Sequence, residues 1–363
     1  SGDYIGISGI ERSYEEVLRG KRGLKVVMVD VHNNVKGRFQ NGQYDSAAVA
    51  GENIMLSIDA DLQAYAEKLM QNKRGGIVAM DPSTGEILAM VTAPTYDPNL
   101  LVGRVRAHNY GVLLQQEDKP LFNRAMMAYY PPGLTFKLIN SLVGLDEEVI
   151  TDHTLFGCHG GYGIGNVFVH CHPHPSPVDL RTAVAVSCNA FYCQTFKAVL
   201  ENKKYSRTED AYNVWRDYVM SFGVGRKLNV DLPHELKGNV PSSAYYDKFF
   251  GKGRWKFSTI ISLSIGQGEL GITPLQMANI TCIIANKGYY YVPHVIHAIG
   301  NRKYIPQNFL VKNYAKVKPE YFEMVQDGMQ KVFESGTARA SAVKGITMCG
   351  KTGTAQNPHG ENH

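Results

Sequence analysis

Tyr130-Pro131-Pro132-Gly133-Leu134-Thr135-Phe136-Lys137 is the stretch from which the fold can be read. Pro132 and Gly133 end one local structure. An apolar run then begins at Phe136 and continues through Leu138, Ile139, Leu142 and Val143. Its mixed three- and four-residue spacing predicts a buried helix from 134 to about 145. Lys137 lies one turn inside that helix. A turn that presents residue 134 at a helix start offers unpaired N–H groups and a positive dipole end, which suit a nucleophile or an oxyanion. Leucine supplies neither with its side chain.

Composition sets the frame. The 363 residues are 44% hydrophobic and 20% charged, enough for one large domain or two smaller ones. The net charge of +5 is mild, and Lys and Arg never exceed two in a row, which argues against nucleic-acid binding. There is no run of 18 apolar residues and no signal peptide. Ser1-Gly2-Asp3 does not read as a natural start, so the missing span says little about a full-length protein.

Working outward toward the N-terminus, residues 1–50 are short and turn-rich. Ser13 with Glu16 forms a capping-box pattern for a helix over Ser13–Leu18, and Val26–Val31 reads as a strand. Ile54–Ile58 is a predicted strand. Asp59 caps a helix to about Asn72 with Leu62, Tyr65, Ala66, Leu69 and Met70 on one face. Gly76–Met80 and Glu86–Val91 flank Asp81-Pro82-Ser83-Thr84-Gly85 as a β-hairpin, and residues 100–130 read as irregular.

Toward the C-terminus, helices are predicted at 179–186, 188–201 and 209–222, then a hydrophilic loop over 233–254. Thr273-Pro274-Leu275-Gln276 is a strong helix start. Tyr289–Val292 is β-rich, and Pro319 opens a helix to about Glu334. Gly345–Ala355 reads as a strand leading into a turn at Asn357-Pro358-His359-Gly360. A strand entering a turn wants a partner, so the C-terminus is expected to be truncated. Segregated helices and strands predict an α+β fold with a mostly antiparallel sheet.

Three short motifs gain meaning from their order: Leu134 with Lys137, Ser187-Cys188-Asn189 between two helices, and Lys351-Thr352-Gly353-Thr354 in the last strand. Together with Gly9-Ile10-Glu11, Phe122-Asn123-Arg124-Ala125 and Gly266-Gln267-Gly268, they give a resemblance over residues 9 to 355. The chain resembles the class B penicillin-binding proteins, most closely the penicillin-binding protein 2 group. The resemblance implies a penicillin-binding transpeptidase fold: an antiparallel sheet flanked by helices, plus an all-helical subdomain. Residues 1–50 would be the remnant of an N-terminal pedestal or dimerisation domain, and 51–363 the transpeptidase domain.

The implied chemistry is D,D-transpeptidation of peptidoglycan during cell elongation, through an acyl-enzyme that β-lactams also form. In that family a serine attacks the D-Ala-D-Ala carbonyl of a stem peptide, and a lysine one turn later takes its proton. The position of that serine is Leu134 here, and the lysine is Lys137. Ser187 would relay a proton and Asn189 would hold the substrate amide. Lys351 and Thr352 would meet the substrate carboxylate, and Gly353 would let the ligand lie along the strand edge. The N–H groups of Leu134 and Thr354 would form the oxyanion hole. With Leu134 the acylation should fail. Thr135, about 100° further round the helix, is no replacement. Leu134 is either an inactivating change in an intact enzyme or the mark of a non-catalytic scaffold that binds stem peptide or β-lactam.

Cys158, Cys171 and Cys188 cluster with His159, His170, His172 and His174. Two disulfides, free thiols and a four-coordinate zinc are all readings of this window. Three thiolates and an imidazole make a closed structural zinc set, with Cys158, Cys171, His174 and Cys188 as the expected ligands and His172 competing for the fourth place. Some members of the penicillin-binding protein 2 group carry a metal here, with a ligand at the middle of the Ser-x-Asn motif. The zinc would be structural, and catalysis would need no cofactor. Cys193, Cys282 and Cys349 read as core residues. Gly266–Gly268 reads as a turn supporting the site, and Tyr289–Tyr291 as sheet. The resemblance also implies a single N-terminal anchor in a bacterial inner membrane, a periplasmic catalytic domain, and a membrane glycosyltransferase of the elongation machinery as partner.

Overall fold

The computed structural model describes residues 5–301 and 304–355. The turn at 357–360 and His359 therefore lie outside the described residues. The N-terminal part holds helices α1 (Gly9–Ser13) and α2 (Glu15–Arg19) and the antiparallel strands β1 (Val27–Val29) and β2 (Val35–Arg38). Next come β3 (Ile54–Leu56), α3 (Ala60–Leu69), β4 (Gly75–Met80), β5 (Ile87–Ala93) and α4 (Arg106–Gln115). The helical block contains α5 (Lys137–Asp146), the hairpin β6 (Gly161–Ile164) and β7 (Val167–His170), then α6 (Leu180–Val186), α7 (Asn189–Leu200), α8 (Thr208–Ser221) and α9 (Ser243–Phe250). The chain closes with α10 (Pro274–Ala285), β8 (Tyr289–Tyr291), β9 (Ile296–Ile299), β10 (Lys312–Tyr314) and α11 (Glu320–Glu334).

The strands form antiparallel pairs: β4 with β5, β3 with β9, and β8 with β10. Backbone bonds join the first two pairs. Ile87 donates to the His294 carbonyl at 2.8 Å, Ser57 to Val295 at 2.9 Å, and Asp59 to Leu88 at 2.9 Å. Along β5 burial alternates, with Ile87, Ala89, Val91 and Ala93 inside, as a strand with one face on the core requires. The hairpin turn is closed by Gly85 donating to Asp81 and by the Asp81 carboxylate accepting from the Ser83 amide at 2.8 Å.

The main core lies among α5, α7 and α8. Trp215 is fully buried between Phe136 and Phe196, with ring centroids 6.0 and 5.2 Å away. Its indole N–H donates to Asn140 Oδ1 at 2.9 Å, and Asn140 Nδ2 donates to the carbonyls of Ser264 (2.9 Å) and Leu263 (3.3 Å). One buried amide thus ties α5 to α8 and to the segment that leads into Gly266. The helix start at Thr273 is a reciprocal capping box, with Thr273 and Gln276 each accepting the other's backbone N–H at 3.1 Å.

Several expectations need correction. The N-terminal helix breaks at Tyr14 and Ser13 caps nothing: Ser13 ends α1, because Tyr14 turns inward and donates its hydroxyl to half-buried Asp231 at 2.6 Å. On α3 only Ala66 is buried, and Leu62, Tyr65 and Leu69 face solvent. Residues 100–130 contain α4, and the loop over 233–254 contains α9. Each of these helices buries one residue, Leu113 or Tyr246, so neither shows an apolar stripe in its sequence. Cys349 is exposed rather than in the core. Gly345–Ala355 is not a strand, because its backbone bonds run to helices instead of a ladder. Gly350 donates to Met329 at 3.2 Å, and Thr354 accepts from Leu134 at 3.3 Å.

Replacing Asn140 tests the helical junction. Asn140→Ala strands an indole N–H and two carbonyls in the core and is expected to cost about 3 kcal/mol in urea unfolding. A loss below about 0.5 kcal/mol would contradict the junction's role.

Candidate functional site

Residues Gly133–Phe136 form a single 3-10 turn that runs directly into α5 at Lys137. In such a turn side chains three apart eclipse, so residues 134 and 137 share a face. Two close backbone approaches hold the turn. Gly133 donates to the Gly266 carbonyl at 2.8 Å, and a Cβ on Gly266 would sit 2.1 Å from the Gly133 oxygen. A Cβ on Gly133 would sit 2.2 Å from the Thr354 oxygen. The Gly266–Gly268 turn is therefore a brace for the helix start. The Thr135 hydroxyl donates to the Pro132 carbonyl at 2.7 Å, which turns it back on its own backbone.

Lys137 is fully buried. Its Nζ donates to the Ser187 carbonyl (2.8 Å), Ser187 Oγ (3.1 Å) and Asn189 Oδ1 (2.5 Å) and lies 5.2 Å from the Tyr192 ring centre. Ser187 presents both oxygens because it occupies the left-handed region, φ 58°, at the end of α6. Lys351 Nζ donates to the same Ser187 Oγ at 2.8 Å. Burial, with the nearby Lys351 charge, pushes the Lys137 ammonium down to about 7. Burial also pushes Lys351 down to about 8. The first two motifs and Lys351 thus converge on one hydroxyl.

The third motif is placed less simply. Thr352 Oγ1 bonds to Thr337 Oγ1 at 2.9 Å, and a Cβ on Gly353 would press on Thr135 Cγ2 at 3.2 Å. The Leu134 N–H, expected to be an oxyanion-hole donor, donates to the Thr354 carbonyl at 3.3 Å. A carbonyl of the third motif therefore occupies the direction in which an oxyanion would be bound.

Directly behind the second motif, the ligand atoms of Cys158, Cys171, His174 and Cys188 all lie within 4.8 Å of one another. A tetrahedral site with metal–sulfur bonds of about 2.3 Å has sulfurs about 3.8 Å apart, so a contraction of about 1 Å would close a shell. His174 Nδ1 lies 2.7 Å from the Pro175 carbonyl, which only accepts, so Nδ1 carries the hydrogen. Its Nε2 is then a lone pair, buried with no partner. That is the state of a metal-ligating imidazole. His172 is exposed, and all six cysteines are free thiols. Cys171 Sγ also accepts the N–H groups of Asn189 (3.1 Å) and Ala190 (3.3 Å). Asn189 Nδ2 donates to the His170 carbonyl at 2.6 Å. The residue types of the cluster stand out in the sequence, but this direct link from Cys171 to Asn189 has no sequence signal.

Lys137 and Lys351 thus meet on Ser187 Oγ beside the helix-start turn that carries Leu134. Residues 75–363 match the penicillin binding protein transpeptidase domain family, and residues 1–56 match the penicillin-binding protein dimerisation domain family. The chain belongs to the penicillin-binding protein transpeptidases. It is 34% identical over 375 residues to the peptidoglycan D,D-transpeptidase MrdA of Acinetobacter baumannii, covering 97% of this chain and 51% of that protein. The chain spans about half the length of the curated relatives it matches. Among solved structures, Pseudomonas aeruginosa PBP2 in complex with WCK 5153 superposes with a TM-score of 0.78 at 31% identity, covering 97% of this chain and 73% of that one. A chain of a peptidoglycan synthase complex that coordinates polymerization and crosslinking superposes with a TM-score of 0.80 at 29% identity, covering 98% and 61%.

The brace at Gly266 is testable by substitution. Gly266→Ala combines a left-handed φ of 72° with a backbone clash, whereas Gly103→Ala has φ 70° and open space. Gly266→Ala is expected to destabilise by at least about 1 kcal/mol more than Gly103→Ala in denaturant melts. Equal costs would show that the turn is not braced there.

Proposed function

We propose that the chain is the transpeptidase part of a peptidoglycan D,D-transpeptidase of cell elongation, and that Leu134 leaves it unable to form the acyl-enzyme. The reading rests on one observation: Lys137, buried and held down to about 7, lies one turn after residue 134 and is fixed by Ser187 and Asn189. With a serine at 134, its oxygen would bond to the penultimate D-Ala carbonyl carbon while its proton passed to Lys137. The peptide bond would then break and release D-alanine, with the leaving amine taking a proton relayed through Ser187. An amine of a second stem peptide would take the acyl group. Lys351 would hold the terminal carboxylate until it leaves with D-alanine. Leucine has no lone pair, so the first bond cannot form.

A second reading shares the same site. In it the chain is a scaffold that holds stem peptide or β-lactam without turnover, a reading favoured by Leu134 beside intact Lys137, Ser187, Asn189 and Lys351. In either case the placement would be periplasmic, on an inner-membrane anchor beside a glycosyltransferase. Likeness to a synthase complex that couples polymerization to crosslinking supports that partner. Among the described residues no helix is long and apolar enough to cross a membrane. Zinc would be held by Cys158, Cys171, His174 and Cys188. It would supply folding energy and fix the turn that carries Ser187 and Asn189, without taking part in the chemistry.

Labelled penicillin tests the enzyme reading. Leu134→Ser is expected to restore covalent labelling, and the present chain to show none. The labelling rate should rise with pH through about 7, as Lys137 loses its proton and becomes a base, and fall above about 8, as Lys351 loses the charge that holds a carboxylate. A folded serine variant that stays unlabelled would sink the reading. A separate measurement addresses the metal: purified protein is expected to carry about one zinc per chain, and chelation to lower its melting temperature. Oxidised thiols with little zinc would reject the site.

A further inference from the structure

Helix α9 and the turn after it carry an unpartnered surface whose chemistry differs from the transpeptidase site. Tyr245, Phe249 and Phe250 are 39%, 62% and 47% exposed. Tyr245 and Phe249 stand one helical turn apart with ring centres 4.7 Å apart, forming a continuous aromatic face. Lys248, Lys252 and Arg254 are exposed among these rings. None of the three forms an ion pair among the described residues. The acid beside them, Asp247, is taken by the Trp255 indole N–H at 2.7 Å.

The opposite face of α9 is anchored. Tyr246 is fully buried and packs edge-on against Tyr212, with ring centres 5.5 Å apart. Its hydroxyl donates to the Glu269 carboxylate at 3.0 Å. Glu269 directly follows Gly266–Gly268, whose Gly266 carbonyl receives the Gly133 N–H beside residue 134. The exposed face therefore rides on a rigid strut that ends at the helix start of the site.

We propose that this face docks the glycan strand that bears the stem peptides, an amino-sugar polymer whose negative charge lies on those peptides. This rests on the transpeptidase reading and names where the rest of its substrate would lie. Sugar rings present C–H faces that stack on aromatic side chains, and the carboxylates of the strand's stem peptides would neutralise the three cations. A protein-docking patch is depleted in lysine at its centre, whereas here lysine and aromatic rings interleave. A membrane-lying helix buries a broad apolar face in lipid; α9 is eight residues long and uses its central tyrosine inward. A strand held on α9 would raise the local concentration of its own stem peptides around the protein.

The test uses the present chain, which cannot turn the strand over. The probes are soluble uncross-linked glycan strands with their stem peptides, and phosphatidylglycerol vesicles. Strands are expected to bind. Tyr245→Ala with Phe249→Ala, and separately Lys248→Gln with Lys252→Gln, are each expected to weaken strand binding about fivefold or more at an unchanged melting temperature. Unchanged strand binding in both variants would overturn the proposal, as would no strand binding at all, or vesicle binding that the same substitutions abolish. Penicillin labelling in a Leu134→Ser background separates the two claims. Labelling retained with strand binding unaffected removes only the α9 surface, and labelling absent removes the transpeptidase reading beneath it.

Discussion

The rest of the site depends on a buried ammonium group with no carboxylate partner among the described residues. Lys137 lies at zero exposure, and every hydrogen bond it makes ends on a neutral oxygen of the Ser187–Asn189 segment. A charge placed there without acceptors would be prohibitive, so the second motif must stand where it does for α5 to begin with lysine. Ser187 meets the demand by taking a left-handed φ, which turns its carbonyl and its hydroxyl toward one point. The strain at Ser187 and the burial of Lys137 are two sides of one constraint.

That constraint spreads through backbone contacts. The turn before Lys137 is pinned by Gly266 on one side and touched by Thr354 on the other, both at distances that exclude a side chain. Asn140, one turn further on, fastens the same helix to Trp215 and to the carbonyls before Gly266. The segment with Ser187 and Asn189 is gripped from behind by Cys171, whose sulfur accepts two consecutive N–H groups at the start of α7. The cysteine–histidine cluster and the lysine site therefore share one turn of backbone. A metal on the first would set the position of the second.

What could be read from the sequence follows from this layout. The helix at 137, the hairpin around Asp81–Gly85 and the capped start at Thr273 were legible because each is set by neighbours within a few residues. The three motifs were legible because their residue types are rare together at those spacings. Helices α4 and α9 were hidden because surface helices that bury one residue leave no periodic stripe. The end of α1 at Ser13 was misread because a tertiary bond from Tyr14 to Asp231 outweighed a local capping pattern. The third segment reads as a strand in sequence, but a strand exists only through its ladder, and here Gly350 and Thr354 bond to helices. Ser187's conformation and the grip of Cys171 on Asn189 had no local signal at all.

The electrostatics of the site do not depend on the side chain at residue 134. Lys137 and Lys351 both donate to Ser187 Oγ, and neither forms an ion pair among the described residues. Two cations on one hydroxyl repel, and burial penalises both charges further. The site has two ways to relieve this. It can shed a proton, which the lowered value of Lys137 favours, or it can take in an anion beside Lys351. Shedding the proton makes a base, and taking the anion binds a carboxylate. Both follow from the arrangement of the lysines and neither requires a hydroxyl at residue 134. The positive field of Lys137 and Lys351 is thus set by their shared contact with Ser187 and is present with leucine at residue 134.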